Sequence, residues 1–242
     1  MRLLLEKIYG GNFAEFVNYL EKCIAEGRKR AIVTANPEIF YACERDKKLK
    51  IRVLSEDADI IADGISVADA AKRIGLESVE KIPGIDVVTA LLKVANEKKL
   101  KVFFYGGSEE TITLLEKKLE EIYPNLQICG LFNGYNYEAG EIMSSCAEIA
   151  PDIIIVALGV PVQEKLIFEY IDLFSKGIFI GAGGSLDIIS GNKKRAPELF
   201  LKHNTEWLYR IVKEPSRINR FLRYNVGFKI KAGKLKPEKT KK

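Results

Sequence analysis

Five stretches of this chain are apolar at every position rather than at every second or third: Ala31–Val33, Ile60–Ala62, Val102–Tyr105, Ile153–Leu158 and Ile178–Ile180. Each runs into a cluster of glycine and polar residues: Thr34-Ala-Asn36-Pro37, Asp63-Gly64, Gly106-Gly107, Gly159-Val-Pro161 and Gly181-Ala-Gly183-Gly184. Unbroken β-branched and aromatic runs suit strands covered on both faces, as in parallel sheets. Ile128–Leu131 supplies a further strand before the turn-rich segment 132–137. Helical spacing fills the intervals. Phe13, Phe16, Val17 and Leu20 lead to Gly27 as a stop; Val87, Val88, Leu91, Leu92 and Ala95 follow Asp86, placed as N-cap; Ser108-Glu-Glu opens another helix with acids in its first turn. The alternation predicts an α/β fold, a Rossmann-like parallel sheet flanked by helices. Such sheets bind ligands at the carboxyl ends of their strands, where the polar clusters fall.

The pattern changes past Arg195-Ala-Pro197. Trp207, Leu208, Ile211 and Val212 form a helical stripe, Pro215 interrupts it, and Ile218, Phe221 and Leu222 form a second. Arginines and lysines interleave with these stripes. The chain is therefore divided into an α/β core over 1–195 and a small basic helical C-terminal appendage over 196–242, its last dozen Lys-rich residues expected to be frayed. Residues 193–242 hold 16 Lys+Arg against 4 Asp+Glu, a net +12, whereas the rest carries 22 against 29, a net −7. An acidic body with a basic tail points to a polyanion: a membrane surface, a nucleic acid or a phosphorylated substrate.

Composition narrows the chemistry. Among 242 residues there is one histidine, His203, in the basic segment, which argues against a His-ligated metal and against a Ser-His-Asp triad. Acid–base work falls to carboxylates. The four cysteines lack C-x-x-C spacing and read as reduced thiols. The N-terminus meets a charge at Glu6 without a signal-peptide core, and the longest apolar run, ten residues, is too short for a bilayer span. These features predict a cytoplasmic protein.

Asp57-Ala-Asp59 spells D-x-D, a metal–nucleotide signature, but it precedes its strand and so lies at the edge opposite the polar clusters. Gly181-Ala-Gly183-Gly184-Ser-Leu186 breaks the dinucleotide fingerprint at Leu186, and no Walker lysine is correctly spaced. Neither a metal nor a cofactor is expected. Asp63 ends an apolar run beside Gly64, which suits either a partly desolvated general base or an N-cap for the next helix. Thr34 and Asn36 on the neighbouring tip suit a site or a turn with helix entry. Gly159-Val-Pro161-Val-Gln163 pairs a backbone-exposing glycine with an amide at a helix start, which fits phosphate or uracil, or a helix entry set by Pro161 alone.

Several segments taken in order resemble the WecG/TagA/CpsF family of glycosyltransferases. They are Thr34-Ala-Asn36-Pro37-Glu38, Ala58-Asp59-Ile-Ile-Ala-Asp63-Gly64, Pro83-Gly84-Ile-Asp86 and Tyr105-Gly106-Gly107. Leu158-Gly159-Val-Pro161-Val-Gln163-Glu164-Lys165, Gly181-Ala-Gly183-Gly184-Ser-Leu-Asp187, Arg195-Ala-Pro197 and Glu206-Trp207-Leu-Tyr-Arg210 continue the series, over about residues 8–225. The resemblance implies inverting transfer of N-acetylmannosamine from a UDP-sugar to undecaprenyl-pyrophosphate-linked GlcNAc, for the wall teichoic acid linkage unit, at the inner face of the cell membrane. It implies Asp63 as base with Thr34 and Asn36 beside it. It makes Lys81, Gly159, Gln163, Gly184, Asp187, Arg210, Arg217 and Arg220 substrate-binding candidates, and gives the appendage the tasks of closing over the pocket and docking on membrane. Many members carry Arg where this chain has Lys81, and a lysine keeps the charge without the bidentate geometry. Leu201-Lys-His203-Asn204-Thr205 also departs from the family wording. Two alternatives stay open: another donor such as UDP-N-acetylmannosaminuronic acid, and a non-catalytic nucleotide-binding module with a nucleic-acid-binding tail. The apolar stripes favour membrane over nucleic acid, or packing between subunits of a homo-oligomer.

Overall fold

The computed structural model describes residues 1–237, apart from the side chain of Arg217. Six strands, β1 (Lys29–Ala35), β2 (Ala58–Ala62), β3 (Lys101–Gly106), β4 (Gln127–Phe132), β5 (Ile153–Ala157) and β6 (Gly177–Gly181), form one sheet in the order β2-β1-β6-β5-β3-β4. All five pairings are parallel. Alternate residues feed two apolar layers. Val33, Phe103, Ile154 and Phe179 face one, with helices Pro37–Arg45, Ile65–Arg73 and Ala139–Ile149; Ile32, Phe104, Ile155 and Ile180 face the other, with Phe13–Ala25, Gly84–Lys98 and Glu109–Ile122. Burial on both sides is why these runs show no polar alternation.

Local signals explain the helix ends. Asn12 and Glu15 form a capping box, and Ser108 accepts from the Thr111 N–H. Asp86 is not the N-cap of its helix. Pro83 is, and Asp86 lies inside the first turn, paired with Arg195 at 2.7 Å. Asp59 lies in β2 at the amino edge of the sheet, its carboxylate held by Arg30 at 2.5 and 2.8 Å and by the Tyr19 hydroxyl at 3.1 Å. All four cysteines are free thiols.

Beyond Arg195 the chain forms helices Glu198–Lys202, Glu206–Lys213 and Arg217–Phe221, then a π-turn Leu222–Val226 that runs into Gly227–Gly233. The last helix, Gly227–Gly233, extends into the Lys-rich end, and residues 234–237 after it form neither helix nor strand. The last helix seats Phe228, fully buried, against Phe40 at 4.9 Å between ring centres, with Ala232 buried beside it. Arg2 donates to the Lys236 carbonyl at 3.0 Å. The final residues, 238–242, lie outside the described ones. Among the described residues no helix is long and apolar enough to cross a membrane.

Candidate active site

The tips of β2, β1 and β6 are neighbours in the sheet, and one cavity of about 340 Å³ opens over them. Thr34, Asn36, Asp63, Lys81, Gly84, Gln163 and Gly183-Gly184 line its floor, and Asn204, Glu206, Trp207, Arg210, Phe221, Asn225 and Lys229 of the appendage form its roof. Strand ends and tail thus meet at one place.

Asp63 is partly buried and does not cap the helix that follows it; Gly64 holds the N-cap position with no side-chain bond. Instead Asp63 Oδ1 accepts from the Gly84 N–H at 2.6 Å, at the start of helix Gly84–Lys98. That contact exists because Lys81 pairs with Ala62 and the Ile82 N–H donates to the Ala62 carbonyl at 2.8 Å, carrying Pro83-Gly84 to the β2 tip. A side chain at 84 would come within 2.7 Å of Thr34 Cγ2, so the approach needs glycine. Burial pushes the Asp63 carboxyl above the ordinary aspartate range. The Gly84 N–H and the Arg210 charge pull it back, Glu206 adds to the rise, and Lys81 opposes it. The carboxylate is oriented through one oxygen, at a helix N-terminus.

Thr34 is buried and donates to the Gly181 carbonyl at 2.9 Å, joining β1 to β6. Asn36 caps helix Pro37–Arg45, accepting from the Glu38 N–H at 2.9 Å, so its helix-entry reading holds while it also borders the cavity. Gln163 is 1% exposed and spans two loops. Its Oε1 accepts from the N–H groups of Gly159 at 3.1 Å and Gly183 at 2.9 Å, and its Nε2 donates to Glu164 at 2.8 Å. Gly159 thus gives its N–H to Gln163 rather than to the cleft. Glu164 is 2% exposed, with Oε2 lacking a partner among the described residues. Burial raises its carboxyl to about 7, opposed by the Gln163 amide. A side chain on Gly181 would fall 2.5 Å from Gln163 and 2.9 Å from Glu164, which fixes glycine there too.

Gly184 faces open space and borders a further cavity, while Gly183 borders another. One, of about 310 Å³, is lined by Asp187, Lys193, Lys194, Tyr209, Arg210 and Lys213. The other, of about 680 Å³, is lined by Tyr105, Ser108, Tyr135, Tyr137, Asp187 and Lys193. Asp187 accepts from Thr111 at 2.7 Å and lies 3.4 Å from Lys193, which also reaches Glu214 at 3.2 Å. Lys81 donates to Asn204 at 2.8 Å, tying the floor to the start of the roof. Arg210 is held by Glu206, one turn before it. Arg220 leaves the cavity and forms a two-bond pair with Glu38 on the core; the Arg217 side chain lies outside the described residues. Glu38, Glu164, Glu206, Lys193, Lys194, Lys213 and Lys229 were not among the residues singled out from sequence. Glu206 had a signal in its motif and Glu164 in its place beside Gln163. The lysines look like any solvated face.

Comparison with known proteins identifies the family. The family model described as "Glycosyl transferase WecG/TagA/CpsF family" matches residues 1–242. A protein of Bacillus subtilis (strain 168) named N-acetylglucosaminyldiphosphoundecaprenol N-acetyl-beta-D-mannosaminyltransferase is 39% identical over 232 residues, 96% of this chain and 89% of the relative. Proteins of the same name from Bacillus spizizenii (39% over 208 residues, 86% of this chain and 80% of the relative) and Staphylococcus aureus strain MW2 (34% over 212 residues, 87% and 83%) are also similar. This chain belongs to the WecG/TagA/CpsF family of glycosyltransferases.

Proposed function

We propose that the chain transfers N-acetylmannosamine from UDP-N-acetylmannosamine to the GlcNAc of an undecaprenyl-diphosphate-linked acceptor, with inversion, using Asp63 as general base. The relatives carry that acceptor and that sugar in their names. The observation that carries the reading is the Asp63 carboxylate: at a strand tip, fixed by the Gly84 N–H, inside a cavity roofed by the appendage. In an inverting displacement the acceptor hydroxyl loses its proton to Asp63 while its oxygen attacks the anomeric carbon, and the UDP oxygen departs on the opposite face carrying the bond's electron pair. Charge growing on the departing diphosphate needs fixed donors. Gly184, Lys193, Lys194, Arg210 and Lys213 supply them around the smaller cavity, and Tyr135 and Tyr137 of the larger one, which shares Asp187 and Lys193, offer flat surfaces for the base. Arg220, engaged by Glu38, serves here as a closure contact for the roof rather than as a phosphate ligand.

The same reading gives the appendage a second task at a membrane surface. Leu208, Val212, Ile218 and Leu222 are 41%, 69%, 45% and 51% exposed among basic residues, the pattern of an interfacial segment. Pairing of Arg195, Arg220 and Lys231 with carboxylates of the core leaves fewer cations for an extended phosphate groove, which weakens the nucleic-acid alternative. The deciding experiment incubates candidate UDP-sugars with GlcNAc-diphosphate on a short prenyl chain. UDP release with UDP-N-acetylmannosamine is expected; release only with the uronic acid donor, or with none, refutes the reading.

A further inference from the structure

The last helical stretch, 217–233, carries three distinct rows of side chains at four-residue spacing, the spacing that places residues on one helical face. One row packs on the core: Arg220 on Glu38, Tyr224 on Tyr41 and Phe228 on Phe40. A second, Phe221, Asn225 and Lys229, lines the Asp63 cavity. The third, Ile218, Leu222, Val226 and Ile230, is 45%, 51%, 44% and 58% exposed. Lys229 has no acidic partner among the described residues and borders neither of the cavities beside Asp187.

The reaction proposed above involves two diphosphates, one leaving with the donor's nucleotide and one retained on the acceptor. The cations around Gly184 and Asp187 lie on the donor side. On the Asp63 side the acceptor sugar must sit with its hydroxyl against the carboxylate, its diphosphate farther out and its hydrocarbon beyond that. The helix offers the same succession, an amide and a free ammonium facing the cavity and an apolar row beside them facing out. We propose that Asn225 and Lys229 form the subsite for the acceptor's diphosphate, with the adjoining Val226 and Ile230 receiving the first part of the prenyl chain. This rests on the transferase reading.

The test compares Lys229→Met, Lys229→Glu and Lys229→Arg with the wild-type chain on two acceptors: GlcNAc-diphosphate on a short prenyl chain, and an uncharged alkyl GlcNAc glycoside of matched chain length. Losing one charge-assisted contact is worth about tenfold or more in affinity. The KM for the diphosphate acceptor is expected to rise about tenfold in Lys229→Met, further in Lys229→Glu, and to recover in Lys229→Arg. Preference for the charged over the uncharged acceptor falls by the same factor, while UDP inhibition keeps its wild-type constant. An unchanged acceptor KM, equal losses on both acceptors, or weakened UDP inhibition overturns the assignment. If the wild-type chain releases no UDP with any donor, the transferase reading falls on its own. Flotation of wild-type and Lys229→Glu chains with vesicles containing a prenyl diphosphate then decides the subsite, equal binding overturning it.

Discussion

Replacing Glu164 with glutamine isolates one buried charge beside the cleft. The wild-type carboxyl sits at about 7 against an ordinary 4.5, because burial disfavours its ionised form more than the Gln163 amide favours it. Between those pH values the folded chain keeps a proton that the unfolded chain has released. That contribution to stability is complete below about pH 4.5 and is lost as pH rises through 7. The gap, at about 1.4 kcal/mol per pH unit, comes to about 3 kcal/mol. Glutamine stays neutral throughout, and its carbonyl still accepts from Gln163. The stability of Glu164→Gln relative to wild type should therefore climb by about 3 kcal/mol between pH 4.5 and 8, measured by urea unfolding followed by circular dichroism at each pH. The difference cancels every other titrating group. Parallel stability curves for the two proteins would refute the reasoning, since they would mean that no proton is held at Glu164.

Asp63→Asn should lower turnover by about 10²–10⁴ with UDP affinity little changed, and near-normal turnover would remove it as base. Because burial raises the Asp63 carboxyl and Glu206 adds to the rise, the acid limb of kcat/KM should lie above the ordinary aspartate range. Glu206→Gln should shift that limb to lower pH; a limb that stays put would argue against Asp63 as the titrating group. Activity should survive EDTA, because the second acid of the D-x-D sequence is paired with Arg30 at the far edge of the sheet; a strict Mn²⁺ or Mg²⁺ requirement would contradict this. A chain ending at Arg195 loses the cavity roof and exposes Phe40, so its turnover on lipid-linked acceptor should collapse, and full retention would separate the appendage from catalysis.

Strands β1, β2, β3, β5 and β6 were readable because a strand covered on both faces leaves an unbroken apolar run, and the place of Asp63 at a strand tip was readable because it punctuates one; β4, at the sheet edge and only half-buried, left a weaker signal. Asp86 misled because its N-cap chemistry is genuine, while the helix entry is set by Gly84, anchored by a carboxylate 21 positions away. Arg220 was legible as a basic residue on a helical face, yet its partner, Glu38, lies 182 positions upstream, and no local pattern encodes that pairing. The end of the appendage read as frayed because its last dozen residues are Lys-rich; the helix leading into it is seated by Phe228 on Phe40, a contact between residues 188 positions apart that no local pattern encodes. Gln163 was placed at the site, but its role as a tie between two loops depends on glycine N–H groups that sequence does not orient.

The covering segment is moored by Asn204 on Lys81 at one end and by Arg220 on Glu38, Tyr224 on Tyr41 and Phe228 on Phe40 at the other. Side chains on the turns between them can be exchanged without unseating either end. Relatives that accommodate bulkier or differently charged guests should therefore differ chiefly in this stretch, with the sheet and its aspartate left alone.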